Sequence, residues 1–291
     1  GHVYSRISNP TNAVLEQRIS ALEGGIGAIT TSSGQAALHL SIATLMGAGS
    51  HIVASAALYG GSHNLLHYTL SRFGIRTTFV KPGDLDAWRA AVQPDTKLFF
   101  GETVGNPGMD VLDIEAVSAI AHEAGVPLLV DSTLTSPWLI KPFDHGADLV
   151  YHSATKFLSG HGTVVGGIVV DGGSFDWDGP KSAGKFAELT QPYDGFHNMV
   201  CTEESTVGAC LLRARREGLR DFGACMSPHT AWLILQGIET LPLRMAQHMR
   251  NTEKVVEFLA AQPFVSRVGH PLLESHPSHA LAQKLLPRGA G

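Results

Sequence analysis

Between residues 12 and 170 the chain alternates short β-branched runs with stretches of helical period. That alternation suits a mainly parallel sheet covered by helices on both faces. The strand candidates are Ala28 to Thr31, His51 to Ala54, Arg76 to Val80, Lys97 to Gly101, Pro127 to Asp131, Leu149 to His152 and Val164 to Val170. Helical periods fill Ala13 to Leu22, Gln35 to Met46, Ser62 to Phe73, Leu85 to Val92 and Ile114 to Ala124. Asp84 and Asp113 stand where N-cap side chains belong, and Gly125 where a helix stops. A sheet of this kind collects ligands at the carboxyl ends of its strands, so the residues after each run are read first for chemistry.

The richest of these positions follows the sixth run. Ser153-Ala154-Thr155-Lys156-Phe157-Leu158-Ser159-Gly160-His161-Gly162 sets one lysine among small hydroxyl and glycine residues. An amine so placed can reach an aldehyde cofactor as a Schiff-base residue, although the same segment also reads as a surface lysine in a flexible loop. Ser153 and Thr155 lie two apart, so in extended backbone their hydroxyls share a face and can bind one phosphate. Asp131 closes a buried apolar run, where an ionised carboxylate is costly without a cation, and a protonated pyridine nitrogen would be such a cation.

Three further turns contribute weaker signals. Thr31-Ser32-Ser33-Gly34-Gln35 opens a helix whose N-terminal N–H groups suit a phosphate, or is simply a serine cap. Tyr59, in Leu58-Tyr59-Gly60-Gly61, is placed to stack on a flat ring or to fill core. Asn106, in Glu102 to Pro107, could bond a ring oxygen or be only a turn asparagine.

Composition removes other classes. With 291 residues, 44% of them hydrophobic, the chain can bury a large core, and a formal charge of -5 makes no case for nucleic acid or an anionic membrane. No run approaches a membrane span. Cys201, Cys210 and Cys225 lack the spacing of a zinc site and the even count of a disulfide framework, which fits a reducing, cytoplasmic setting. The 15 histidines offer no His-x-x-x-His pair with a nearby acid on one helix face, so no metal is expected, and no Gly-x-Gly-x-x-Gly opens a helix as a dinucleotide fold requires.

Taken together, Tyr4-Ser5-Arg6 with Asn9-Pro10-Thr11, Ser33-Gly34-Gln35, Tyr59-Gly60, Glu102 to Pro107, Asp131-Ser132-Thr133 and Ser153 to Gly162 resemble the Cys/Met-metabolism family of pyridoxal-phosphate enzymes of fold type I. The resemblance covers nearly the whole chain and is nearest to the O-acetylhomoserine sulfhydrylases. It implies pyridoxal 5'-phosphate as cofactor and Lys156 as the Schiff-base and proton-shuttling residue. It also implies Asp131 facing the pyridine nitrogen, Tyr59 stacked on the ring, and Ser33, Gly34, Gln35, Asn106, Thr133, Ser153 and Thr155 around the cofactor. Tyr4 and Arg6 resemble the pair that reaches a neighbouring subunit's phosphate site, which implies a homodimer at least and, by the family's habit, a homotetramer.

The resemblance further implies γ-replacement on an O-acetyl- or O-succinyl-homoserine by sulfide or a small thiol, giving homocysteine or methionine. Phe175-Asp176-Trp177, Leu219 to Pro228 and Gln236 to Met245 resemble the sulfhydrylases more than the shorter cystathionine enzymes. Gly61 and Ser62 stand where methionine γ-lyases carry a cysteine. A cystathionine γ-synthase or γ-lyase is the alternative within the family, and a non-catalytic cofactor-binding protein the remote one.

The expected organisation is a cofactor-binding major domain over residues 1–228, with an arm at 1–12 and an insertion at 172–200. Connecting helices over 229–261 follow, and 262–291 begin a smaller C-terminal α/β domain. The Gly-, Pro- and Asp-rich 172–200 segment reads more simply as a surface insertion than as a lid. Helical periods resume over Glu204 to Gly218 and Thr230 to Ala261, with a break near Pro242. The family's arginine for the substrate α-carboxylate belongs to a C-terminal motif absent from these residues, so the last domain is expected to be cut short.

Overall fold

The computed structural model describes residues 1–205 and 208–290. Seven strands form one sheet: β1 (Gly27–Thr31), β2 (His51–Ser55), β3 (Arg76–Val80), β4 (Thr96–Glu102), β5 (Leu128–Asp131), β6 (Leu149–Ser153) and β7 (Gly167–Asp171). They lie in the order β1-β7-β6-β5-β4-β2-β3. All are parallel except β7, which runs antiparallel to both β1 and β6. The reversal follows from the β6–β7 connection, which spends its residues on the lysine turn and contains no crossover helix.

Neighbouring residues along the central strands serve opposite faces, and both faces are dry. Phe99, Leu128, Val130, Val150 and Ile168 enter one core with Leu15, Trp88 and Val117. Phe100, Leu129, Leu149 and Val169 enter the other with Leu38, Ile42 and Leu45. Thus α1 (Pro10–Glu23), α4 (Leu85–Ala90) and α5 (Ile114–Glu123) cover one side, and α2 (Gly34–Leu45) with α3 (Gly60–Asn64) the other. Two-sided burial is why these strands read as continuous apolar runs and not as alternating ones. Asp84 and Asp113 accept N–H bonds from Ala87 and Ala116 at 2.9 and 3.1 Å, and Gly125 turns the chain out of α5 at φ 68°.

Four expectations change. The single helix expected over Ser62 to Phe73 begins earlier as α3, widens into a π-turn over Leu65–Thr69 and tightens to a 3₁₀ turn at Leu70–Phe73. The last strand begins at Gly167, not Val164, because the N–H of Gly166 is taken by the Thr155 hydroxyl and the residues before it remain in the lysine turn. The helix expected over Glu204 to Gly218 is interrupted. Cys201–Glu204 ends before Ser205, helix resumes at Ala209–Arg213, and a π-turn over Ala214–Leu219 leads into Arg220–Phe222, with Thr206 and Val207 outside the described residues. Finally, residues 172–200 are not merely surface: Trp177, Phe186 and Leu189 are buried against the α2 side of the sheet, with Trp177 and Phe186 edge to face at 5.1 Å.

The helices Pro228–Glu239 and Leu241–Ala260 meet at Thr240 and Pro242, the break expected from the sequence. Among the described residues no helix is long and apolar enough to cross a membrane.

Candidate active site

The carboxyl ends of β4, β5 and β6 bring three polar side chains into one row. Sheet register pairs Glu102 with Asp131 and Asp131 with Tyr151. Above them opens a cavity of about 750 Å³, within the usual range for small-molecule sites. Its wall includes Ser33, Gly34, Gln35, Tyr59, Glu102, Asn106, Asp131, Thr133, Ser153, Thr155 and Lys156. Ten of the twelve residues singled out from the sequence therefore share one space; Tyr4 and Arg6 do not line it. Those two lie near Arg220, with the Arg6 guanidinium 5.0 Å from the Tyr4 ring centroid and one of its nitrogens donating to the Arg220 carbonyl.

Each side of the cavity is built locally. Ser33 caps α2 by accepting the Ala36 N–H at 3.1 Å, leaving the first turn of a twelve-residue helix facing the space. Gly34 is required there because a Cβ would lie 2.7 Å from that of Ser153, so α2 and the end of β6 can close into a cup only without one. Gln35 is tied to the Gly61 carbonyl at 3.0 Å, joining the cup to the Tyr59 loop. Thr133 accepts the Ser153 N–H at 2.8 Å and donates its own N–H to Asp131 Oδ1 at 2.9 Å. The Thr155 hydroxyl bonds both backbone groups of Gly166, so it braces the lysine turn. Lys156 lies on that turn, exposed to the cavity.

Asp131 is buried, and its carboxyl is pushed above the ordinary carboxylate range, first by loss of water, although bonds from Thr133 and Tyr151 oppose the shift. Among the described residues no lysine or arginine is paired with it. Tyr151, buried beside it, is held well above the usual phenol value by desolvation and then by that neighbouring carboxylate.

Glu102, part of the Glu102 to Pro107 segment, was given no role of its own in the sequence reading. It closes β4 as Asp131 closes β5, and that shared position was the available signal. Its Oε1 accepts the Tyr59 N–H at 2.7 Å. Burial, then the charge of Asp131, raise its pKa from 4.5 to about 8 against the pull of N–H bonds from Tyr59 and Asn106. The folded chain thus keeps a proton that the unfolded chain has released. The associated stability is full below about pH 4.5 and is lost as pH rises towards about 8. Glu102→Gln is expected to flatten that decline, read as the melting temperature of the ligand-free chain across this pH range.

Arg244 and His248, from the helix Leu241–Ala260, line the cavity with Phe157 of the lysine turn, and these two helical residues were given no site role from the sequence. Long-range packing brings them in, and helical period alone could not.

The chain matches the family described as Cys/Met metabolism PLP-dependent enzyme over residues 1–291. It is 48% identical to the O-acetyl-L-homoserine sulfhydrylase of Leptospira meyeri, covering 99% of this chain and 66% of that protein. It is 46% identical to the homocysteine synthase of Schizosaccharomyces pombe, over 100% of this chain and 68% of the other. The chain thus spans about two thirds of the length of these curated relatives. A crystal structure from Campylobacter jejuni, described as an O-acetylhomoserine (thiol)-lyase and carrying N'-pyridoxyl-lysine-5'-monophosphate, superposes with a TM-score of 0.95 at 34% identity, over 100% of this chain and 72% of that one.

The residues present fit pyridoxal phosphate. A glycine-lined helix N-terminus with hydroxyls beside it suits the phosphate, a buried carboxyl with no lysine or arginine paired to it among the described residues suits a ring nitrogen, and an amine opens onto the same cavity. By its sheet, its cavity and its family match over residues 1–291, this chain belongs to the Cys/Met metabolism PLP-dependent enzymes, of fold type I.

Proposed function

We propose that the chain forms the cofactor-binding part of an O-acetylhomoserine sulfhydrylase, a transferase that replaces the acyloxy group on Cγ of an acyl-homoserine with sulfide or a small thiol. The observation that carries this reading is the single cavity that holds Lys156, Asp131 and the Gly34–Ser153 cup together. When bound, pyridoxal phosphate supplies an aldehyde for the substrate amine and a ring that accepts charge when a neighbouring C–H bond breaks.

The chain's own residues do the rest. Ser33, Gly34, Gln35, Ser153 and Thr155 would hold the phosphate, Tyr59 would stack on the ring, and Asn106 and Thr133 would bond its edge. Asp131 offers its carboxylate in a desolvated place, where, once a ring cation meets it, the pair would act most strongly. Lys156, the one lysine on the cavity wall among the described residues, takes the proton from the substrate Cα and moves it onward. Tyr59 is placed to assist that transfer.

The net exchange is redox-neutral: the Cγ–O bond of the ester breaks with its electron pair on acetate, a Cγ–S bond forms, and the sulfur's proton is released. Purified enzyme is expected to make homocysteine from O-acetyl-L-homoserine and sulfide faster than it uses the succinyl ester or methanethiol. A preference for cysteine as acceptor, or release of a 2-ketoacid, would assign a cystathionine γ-synthase or γ-lyase instead.

Tyr4 and Arg6 stand outside their own chain's cavity, which supports a role in a neighbouring subunit's phosphate site and a homodimer or homotetramer. The three cysteines are free, which supports a reducing, cytoplasmic location. The domain reading stays as residues 1–228 for the cofactor-binding domain, 229–261 for the connecting helices, and 262–291 for the start of a C-terminal domain.

A further inference from the structure

The turn that carries Lys156 is gripped from outside the sheet. Within the turn, the Gly160 N–H bonds the Lys156 carbonyl at 2.8 Å and the Ser159 hydroxyl bonds the Thr155 carbonyl at 3.0 Å, so a displacement of Gly160 is passed to Lys156. Those bonds make the turn compact, but they do not fix it to the rest of the fold.

Two contacts from one helical corner do. Gly237, near the end of the helix Pro228–Glu239, lies so near the Leu158 and Ser159 carbonyls that any Cβ would run into them. Arg244, in the first turns of the helix Leu241–Ala260, donates from Nη2 to the Gly237 carbonyl at 2.7 Å and from Nε to the Thr240 hydroxyl at 3.1 Å. Its guanidinium is thereby locked at the corner, and it lies where a Cβ on Gly160 would be. Gly160 adopts φ 71°, a conformation glycine takes without strain. Four residues along the same helix face, His248 meets Phe157 at 5.3 Å between ring centroids. The turn is thus contacted at residues 157 to 160, immediately after the lysine.

We infer that this corner is a socket for the lysine turn, and that Arg244 is a positioning residue that sets where the Lys156 amine stands. It acts through Gly160 and the turn's backbone. The inference rests on Lys156 being the cofactor-binding lysine. A lysine at position 244 could not reproduce the effect, since a single ammonium on a flexible stem cannot present a flat surface to Gly160 while bonding both Gly237 and Thr240.

The test uses holoenzyme of the wild type, Arg244→Lys, Arg244→Ala and Gly160→Ala. It reads the pH midpoint of the lysine-bound cofactor's visible absorbance and the rate at which cofactor is lost to an apo-protein trap. For the Arg244 and Gly160 variants the midpoint is expected to move by about half a pH unit or more. Release should accelerate roughly tenfold, the factor carried by one lost hydrogen bond to a charged group. Far-ultraviolet circular dichroism identifies the folded variants, and if Arg244→Ala does not fold, Arg244→Lys decides, because it keeps the stem. Folded Arg244→Lys with wild-type midpoint and release rate would overturn the inference. A wild type without lysine-bound absorbance would instead overturn the assignment of Lys156, a different and recognisable failure.

Discussion

Lys156→Ala is expected to abolish turnover and to remove the visible absorbance, near ~420 nm, of a lysine-bound pyridoxal aldehyde, while leaving the protein folded. The expectation has two parts because the amine is asked to do two things, to bond the aldehyde and to move a proton. Among the described residues no other lysine lines the cavity, so no neighbouring amine of this chain is placed to substitute. The lysine is exposed, so the melting temperature of the ligand-free chain should change little. Loss of a general base typically costs about 10²–10⁴ in rate, and loss of the covalent attachment adds to that. Ultraviolet–visible spectra and a homocysteine assay on the same sample check both parts. A variant that retains the band and measurable turnover would move the chemistry to another residue.

Legibility from sequence was uneven, for physical reasons. The central strands were readable because burial on both faces leaves Leu128 to Val130 and Leu149 to Val150 without polar interruptions, and their ends were fixed by the first residue that needed a partner, Asp131 or Ser153. Cup residues were readable because a phosphate site at a helix start uses small side chains with a local pattern. What escaped was whatever depends on contacts between distant segments. Glu102 is ordinary in its own strand and becomes unusual only when register sets it beside Asp131. Arg244 is one of several cations on its helix until Gly160 and Gly237 are folded against it. The antiparallel turn of β7 likewise could not be read from Val164 to Val170 themselves, since it depends on what the preceding residues are used for.

Asp131→Asn should separate stability from function. The variant keeps an oxygen to accept the Thr133 N–H, now bonded at 2.9 Å, and places a neutral group where burial disfavours charge. Because the carboxyl pKa is raised on folding, its stabilising proton is present at low pH and is lost as pH rises through the folded value. Asparagine has no such proton to lose. The ligand-free variant should therefore melt at or above the wild-type temperature, with the advantage growing as pH increases. Function should move the other way. Removing one member of a buried charge pair costs about 3–5 kcal/mol, which corresponds to roughly 10²–10⁴-fold when it falls on a reaction barrier. Turnover and cofactor retention should fall together, whereas Glu102→Gln, which leaves the Asp131 charge in place, should alter the pH dependence and spare most of the rate. Thermal melts with and without pyridoxal phosphate, paired with turnover, test the separation. If Asp131→Asn were destabilised without ligand yet turned over normally, its carboxyl would be a structural acid, and the cation it is held ready for would not be the cofactor's ring.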